Sequence, residues 1–343
     1  MGVNLTEILV KSEISLKTIK GKIIAVDASN WIYQFLSVIR QPDGALLADS
    51  EGRVTSHLMG IFTRSLKLMQ LGVSLVYIFD GKPPQLKLIT RQKRQDTKIK
   101  AEAAYKVAVE SHNIDEMRKY ASMTSKLTEE MVEESKELLR ALGIPIIQAP
   151  SEAEAQAAFL VKNNDAYAVG SQDTDSLLFG SPRTIRNLTF SGVRKTSKAR
   201  YVNISPQLFD LKKILSHMGI TYEQLIILSM LVGTDYNYSG IPQIGPKKAL
   251  NLVKKYGKSY NSIFLETKWS EHFNYPWEDV FNLFLNIDLT KKYTTKQAYP
   301  NKDKILKMLT EKHNFSEERV NNLLDPFLEY SKKKQKYLGD FFD

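Results

Sequence analysis

Lys22-Ile23-Ile24-Ala25-Val26-Asp27 is an apolar, strand-like run closed by an acid, and the same ending recurs along the chain. Asp80 closes Val73-Ser74-Leu75-Val76-Tyr77-Ile78-Phe79. Glu152 and Glu154 follow Ile144-Pro145-Ile146-Ile147, and Asp173 and Asp175 follow Ala166-Tyr167-Ala168-Val169. Asp235 comes just after the apolar stretch from Leu225 to Val232. In open α/β sheets the carboxyl ends of parallel strands face one crevice, where ligands bind. Acids gathered there, without Cys or paired His, predict a site for a hard metal ion.

At 343 residues, 43% hydrophobic and 25% charged, the chain has the composition of a globular protein with a large core. No apolar run is long enough to span a bilayer and no signal peptide is read, so an intracellular location is expected, in cytoplasm, nucleoid or nucleus. Zero Cys excludes disulfides and thiolate metal sites. His57, His112, His217, His272 and His313 show no ligand spacing, which argues against zinc. Net charge is +10, and the segment from Gly81 to Lys100 holds seven basic residues against one acid, Asp96. An acidic pocket in basic surroundings suits a phosphodiester substrate.

The first 80 residues read as strand, helix, helix, strand, with helices over Ser29–Ile39 and Ser56–Leu71. Thr128 to Val169 reads as helix, strand, helix, strand. Between these blocks the basic, helix-prone segment 82–126 reads as an inserted helical cap. A strand is expected over Arg183–Phe190 and a helix over Asp210–Met218. A Gly/Pro-bearing turn at 240–246 precedes a helix over Lys247–Tyr256. The aromatic stretch from Asn261 to Pro300 reads as packing, and the residues from Lys332 as a tail. The fold class is therefore α/β: a central, mostly parallel sheet flanked by helices, with an inserted helical arch and a helix-hairpin-helix element. The predicted organisation is a core over 1–325 (cap 82–126, hairpin element 225–260) and a tail over 326–343.

Seven carboxylates around one crevice repel strongly, and two divalent ions would cancel four of those charges. A metal pair about 4 Å apart can activate water and stabilise the leaving oxygen of a phosphodiester. Each piece also has a plainer reading. Ser151-Glu152-Ala153-Glu154 fits a capping box, Asp173-Thr174-Asp175 fits a turn or a D-x-D phosphatase nucleophile, and Asp27 fits a helix cap. Convergence of four segments favours the metal.

If a helix starts after Pro83-Pro84, Lys87, Arg91, Arg94 and Lys98 form one cationic stripe able to clamp a phosphate, or a solvated face. Tyr33 could stack on a base, or pack in the core or half-exposed against it. The turn Gly240 to Lys248 reads as a helix-hairpin-helix that meets duplex backbone through glycine amides and Lys247 and Lys248, or as a plain helix cap. Gln335-Lys336-Tyr337-Leu338-Gly339-Asp340-Phe341-Phe342 puts Leu338, Phe341 and Phe342 on one face of a helical turn. It reads as a docking peptide that orders on binding, or as a segment folding back on the core.

Together these residues resemble the flap endonucleases, members of the structure-specific 5′ nuclease superfamily, over nearly the whole chain. The resemblance rests on Ala25-Val26-Asp27-Ala28-Ser29, Val76 to Pro84, Ala149 to Ala155, Ser171-Gln172-Asp173-Thr174-Asp175, Gly233-Thr234-Asp235-Tyr236 and Ile244 to Ala249. Chain length and the terminal box are similar to archaeal members. The resemblance implies two Mg²⁺ ions, with Mn²⁺ a plausible substitute, held by Asp27, Asp80, Glu152, Glu154, Asp173, Asp175 and Asp235. It implies that Lys87 and Arg94 contact the scissile phosphate from an arch that passes the 5′ strand. It places Tyr33 by the first unpaired nucleotide and Gly2 near the active site, with Arg91, Lys98, Gly240, Gly245, Lys247 and Lys248 on DNA. Gln335, Leu338, Phe341 and Phe342 match a sliding-clamp-binding box. Met1 to Thr6 also fits a myristoylation pattern, which the family role of Gly2 accounts for. Gln243, after Pro242, stands where the family hairpin has glycine, which puts the monovalent-cation site there in question.

The expected activity is cleavage of a 5′ flap at its junction with duplex DNA, in replication and repair, with some 5′–3′ exonuclease activity, by a monomer away from membranes. The rivals are a sibling exonuclease or bubble and junction nuclease, a non-catalytic clamp-tethered scaffold, and a phosphatase using Asp173.

Overall fold

Alternate residues of a strand face opposite sides of a sheet, so an apolar run without alternation needs cover on both faces. The computed structural model, which describes residues 3–111, 113–189, 192–195 and 201–339, supplies that cover. Its main sheet contains β1 (Ser12–Glu13), β2 (Ile23–Asp27), β3 (Ser74–Phe79), β4 (Ile146–Gln148), β5 (Ala168–Gly170) and β6 (Arg183–Arg186). A separate ribbon of β7 (Gly192–Lys195) and β8 (Tyr201–Ile204) comes before its last strand, β9 (Gln207–Asp210).

Ile24, Val26, Leu75 and Tyr77 point into a core formed with α1 (Ala28–Val38), α2 (Ser56–Gln70) and, beyond the cap helices α3 (Lys87–Glu110) and α4 (Ile114–Met123), α5 (Glu129–Ala141). Ala25, Val76, Ile78 and Val169 point the other way, onto α6 (Ala153–Lys162). Each large side chain fully buried in this way contributes about 1.5–3 kcal/mol. A second core gathers around α7 (Leu211–Met218), the largely apolar α8 (Tyr222–Val232) and α9 (Pro246–Tyr256). The aromatic stretch forms α10 (Tyr260–Glu266), α11 (Trp269–His272) and α12 (Trp277–Leu285), in which Phe264 stacks on Trp277 at 4.7 Å. It is packing, as read.

The sheet order is β1-β9-β6-β5-β2-β3-β4. The pairs from β4 across β3, β2 and β5 to β6 are parallel, while β9 lies antiparallel to both β6 and β1. The chain steps outward from β2 to β3 and β4, then returns to the far side of β2 as β5. The order reverses between β2 and β5, and a crevice opens at their carboxyl ends.

Two boundaries differ from the sequence reading. The strand expected over Arg183–Phe190 stops at Arg186, because Asn187 is left-handed at φ 60°. The chain from 326 is not a separate tail: after α13 (Lys302–Leu306) and a π-turn (Lys307–Lys312), α14 (Glu317–Gly339) runs unbroken through Lys332. Phe327, buried in the first core, fastens α14 to α2. Among the described residues no single helix is long and apolar enough to cross a membrane.

Candidate active site

Asp27 ends β2 and caps α1, its Oδ1 accepting the Asn30 N–H at 3.0 Å. The cap reading of Asp27 is therefore correct, and the same residue also opens the crevice. Asp173 lies just beyond β5, where its Oδ2 accepts from Asn30 Nδ2 at 2.9 Å. Two residues on, Asp175 begins a 3₁₀ turn and its Oδ1 accepts the Val3 N–H at 2.8 Å.

The capping-box reading of Ser151 to Glu154 fails. The N-cap of α6 is Glu152, which makes no side-chain cap bond; the Ala153 N–H is taken by Asp80 Oδ1 at 2.8 Å. Asp80 can reach it because Gly81 lies against the strand-to-helix turn, donating to the Ser151 carbonyl at 2.6 Å. A Cβ on Gly81 would sit 2.2 Å from the Ala149 oxygen. Asp80, Glu152 and Glu154 thus gather at the positive end of the α6 dipole. Asp235 follows α8 in a turn fixed by Thr234 Oγ1 donating to Asn237 Oδ1 at 2.7 Å and Asn237 Nδ2 donating to the Met230 carbonyl at 2.6 Å.

Charge in this crevice is under-compensated. Burial, then repulsion from Asp80, pushes the Asp27 carboxyl well above its ordinary range. Burial followed by Asp175 does the same to Glu154. Burial, Asp173 and Asp235 raise Asp175 to about 7. Glu152 is also raised by burial, with Lys87 opposing. The cations come from α3. Lys87 Nζ pairs with Glu152 and lies 3.5 Å from Asp235, which Arg94 also contacts. Burial alone would lower Lys87, but Glu152 and Asp235 hold it above its ordinary value.

Oxygen donors in negative excess fit a hard dication. Among the described residues, however, no three acidic or imidazole groups close on a common point as they stand, and Lys87 and Arg94 pair with Glu152 and Asp235.

The proposed stripe divides. Lys87 and Arg94 meet the acids, Lys98 Nζ lies 5.0 Å over the Tyr33 ring, and Arg91 is exposed. Tyr33 is 38% exposed, so it is not a core residue, and both half-exposed packing and stacking on a base remain open to it. At the hairpin, Gly240 (φ 59°) presses on the end of α8, where a Cβ would meet the Val232 carbonyl carbon at 2.3 Å, so this glycine serves packing. Gly245 caps α9 and faces open space; Lys247 and Lys248 are exposed. Gln243 takes the left-handed conformation (φ 63°) despite its side chain. Gln335 and Leu338 fall on the last turns of α14, and Gly2, Phe341 and Phe342 lie outside the described residues.

Sequence reasoning missed Asn30, Val3 and the Lys93–Tyr238 contact, in which Nζ lies 4.6 Å over the ring. Only Asn30 left a signal, three residues after a capping Asp.

Residues 1–101 match the family model for the XPG N-terminal domain and residues 143–235 that for the XPG I-region. Fold and site thus define a metal-dependent nuclease, a hydrolase of phosphodiester bonds. The chain is 47% identical over 329 residues to flap endonuclease 1 of Aeropyrum pernix, covering 95% of this chain and 94% of that protein. The solved structure of flap endonuclease-1 from Methanococcus jannaschii matches with a TM-score of 0.77 at 35% identity, covering 97% of this chain and 100% of that one. The catalytic core of Rad2 in complex with DNA substrate matches at 0.67 and 25% identity, over 92% of this chain and 96% of that one. The chain belongs to the flap endonuclease 1 family and is a structure-specific 5′ flap nuclease of DNA replication and repair.

Proposed function

We propose that Asp27, Asp80, Glu152, Glu154, Asp173, Asp175 and Asp235 hold two Mg²⁺ ions, with Mn²⁺ as substitute, and that the flap is cut there. One observation supports this reading: the seven acids repel one another across the β2/β5 crevice, and burial with that repulsion raises Asp27, Glu154 and Asp175. When bound, such ions activate water and stabilise the leaving oxygen. The chain's own residues do the rest. Lys87 and Arg94 exchange their carboxylate partners for the scissile phosphate and offset its charge in the transition state. Tyr33 presents an exposed ring to the first unpaired base, with Arg91 and Lys98 along the strand's path. The α3–α4 insertion acts as the arch around the 5′ strand.

The duplex rests on the turn before α9, through Gly245, Lys247 and Lys248, with Gly240 shaping the loop. Gln243 already adopts the left-handed backbone a glycine would take, so a monovalent cation could still bind carbonyls there. The Gln335–Phe342 peptide docks on the sliding clamp; the chain's work on DNA puts it inside the cell.

The test is cleavage of an end-labelled 5′-flap duplex in Mg²⁺, beside Asp173→Ala and a metal-free control. A single cut at the junction, lost in both controls, is expected. Undiminished cleavage by Asp173→Ala would remove that residue from the ligand set. For the clamp peptide, Phe341→Ala/Phe342→Ala is expected to abolish clamp stimulation while leaving clamp-free cleavage intact.

A further inference from the structure

Asn30 commits its backbone N–H and both ends of its side-chain amide to the crevice. Its N–H donates to Asp27 Oδ1 at 3.0 Å, its Nδ2 donates to Asp173 Oδ2 at 2.9 Å, and its Oδ1 accepts the Gln172 N–H at 2.8 Å. One turn along α1, Gln34 Oε1 accepts from Thr189 Oγ1 at 3.0 Å and from Gln172 Nε2 at 3.4 Å. The first face of α1 is thereby tied to the loop after β5 at two successive turns.

That tie does what the sheet cannot. The β2/β5 ladder ends at Val26 opposite Gly170, before either carboxylate is reached. Beyond it, Asp27 and Asp173 stand on independent segments, and their carboxylates repel each other. Nothing in the ladder sets their separation, and repulsion would widen it. The Asn30 backbone N–H holds Asp27, and the side-chain amide is suited to hold the loop after β5 because it donates to Asp173 and accepts from Gln172 without adding charge. Asp in its place could not donate when ionised, and an apolar residue of equal size could do neither.

We infer that Asn30 is a positioning residue, which sets the separation and orientation of Asp27 and Asp173 and so governs divalent-cation affinity and turnover. The inference rests on the reading of those acids as metal ligands. Groups that hold a metal's ligands in place alter affinity or activity by about 10–100-fold when removed.

The test uses the full chain as Asn30→Leu (the same size without the side-chain hydrogen bonds), Asn30→Ala and Asp173→Ala. Mn²⁺ binding is followed by electron paramagnetic resonance without DNA, kcat and KM are measured on a 5′ flap in Mg²⁺, and melting is recorded without metal. Both Asn30 variants are expected to lose about 10–100-fold in Mn²⁺ affinity and in kcat. KM for the flap and the metal-free melting temperature are expected to stay at the parent's values. Parental Mn²⁺ affinity and kcat in the Asn30 variants, with both lost in Asp173→Ala, would overturn the inference and leave the metal reading standing. Lower melting temperature with unchanged Mn²⁺ affinity would assign Asn30 a purely structural role and overturn it too. Mn²⁺ binding and cleavage retained by Asp173→Ala would overturn the ligand assignment of Asp173, and the inference with it.

Discussion

Asp175 shows what this crevice costs the fold. Its carboxyl is buried, faces Asp173 and Asp235, and is raised from 3.8 to about 7, so above that pH the folded chain holds a charge it disfavours. Removing the charge while keeping the acceptor for the Val3 N–H should relieve repulsion without opening a cavity. Asp175→Asn is expected to stabilise the metal-free protein at pH 8 by about 1–3 kcal/mol while cleavage falls sharply, a stability–activity exchange typical of active sites. Thermal melting in a chelator beside a flap-cleavage assay checks both halves; a lower melting temperature would mean the hydrogen bond outweighs the repulsion. Gln243 carries strain of another kind. A left-handed L-residue costs about 1–2 kcal/mol, and glycine would remove that at an entropic cost of about 0.4–1 kcal/mol. Gln243→Gly is thus expected to raise stability by about 0.5–1 kcal/mol in urea unfolding. Destabilisation of that size would show that the Gln243 side chain makes an offsetting contact.

At the scale of elements, the α6 N-terminus organises half the site, and Gly81 is what lets β3 reach it. Its missing Cβ allows the turn after β3 to lie on the Ala149–Ser151 backbone, which brings Asp80 Oδ1 to the Ala153 N–H. The atoms a Cβ would meet there are backbone of Ala149 and Pro150, so no flexible neighbour can give way. Gly81→Ala is expected to destabilise by about 1–3 kcal/mol and to slow single-turnover cleavage more than it weakens flap binding, since Asp80 moves but the DNA surface does not. Equal losses in binding and rate would place the damage in α3 instead. These elements also show what was legible. Ile23 to Val26 and Leu75 to Phe79 could be read because parallel strands covered on both faces carry unbroken apolar runs. The acids could be read because they end those runs. The strand β1, the ribbon β7–β8 and the antiparallel β9 were not legible, being short strands whose pairing depends on distant partners. Val3 reaching Asp175 was equally hidden, since no local pattern records a contact across 172 residues. Continuation of α14 past Lys332 was masked by a lysine run that suits a solvated helix as well as a tail.

Across the whole molecule, a buried polar cluster joins the amino-terminal half to the carboxyl-terminal helices. Glu134 on α5 accepts from His57 of α2 at 3.3 Å and lies 3.2 Å from Lys312 and 3.0 Å from His313, at the end of the π-turn. His313 also lies 3.3 Å from Asp49, which Arg53 engages at 2.7 Å. Asn314 completes the joint through Ser50 Oγ at 2.6 Å. Burial alone would raise Glu134, but the hydrogen bonds from His57 and Lys312 outweigh it and hold the carboxyl at about 2 instead of the ordinary 4.5. A carboxyl depressed by folding adds stability that is fully present above its unfolded value and is lost as pH falls through its folded one. Here that window runs from 4.5 down to about 2. With allowance for solvent screening, the contribution is on the order of 1 kcal/mol. Glu134→Gln is expected to be less stable than the parent at pH 7, with the gap closing as pH falls from 4.5 towards 3, in urea unfolding at each pH. A gap that stays constant across that range would mean Glu134 joins the two halves by shape and neutral hydrogen bonds, with its charge contributing nothing.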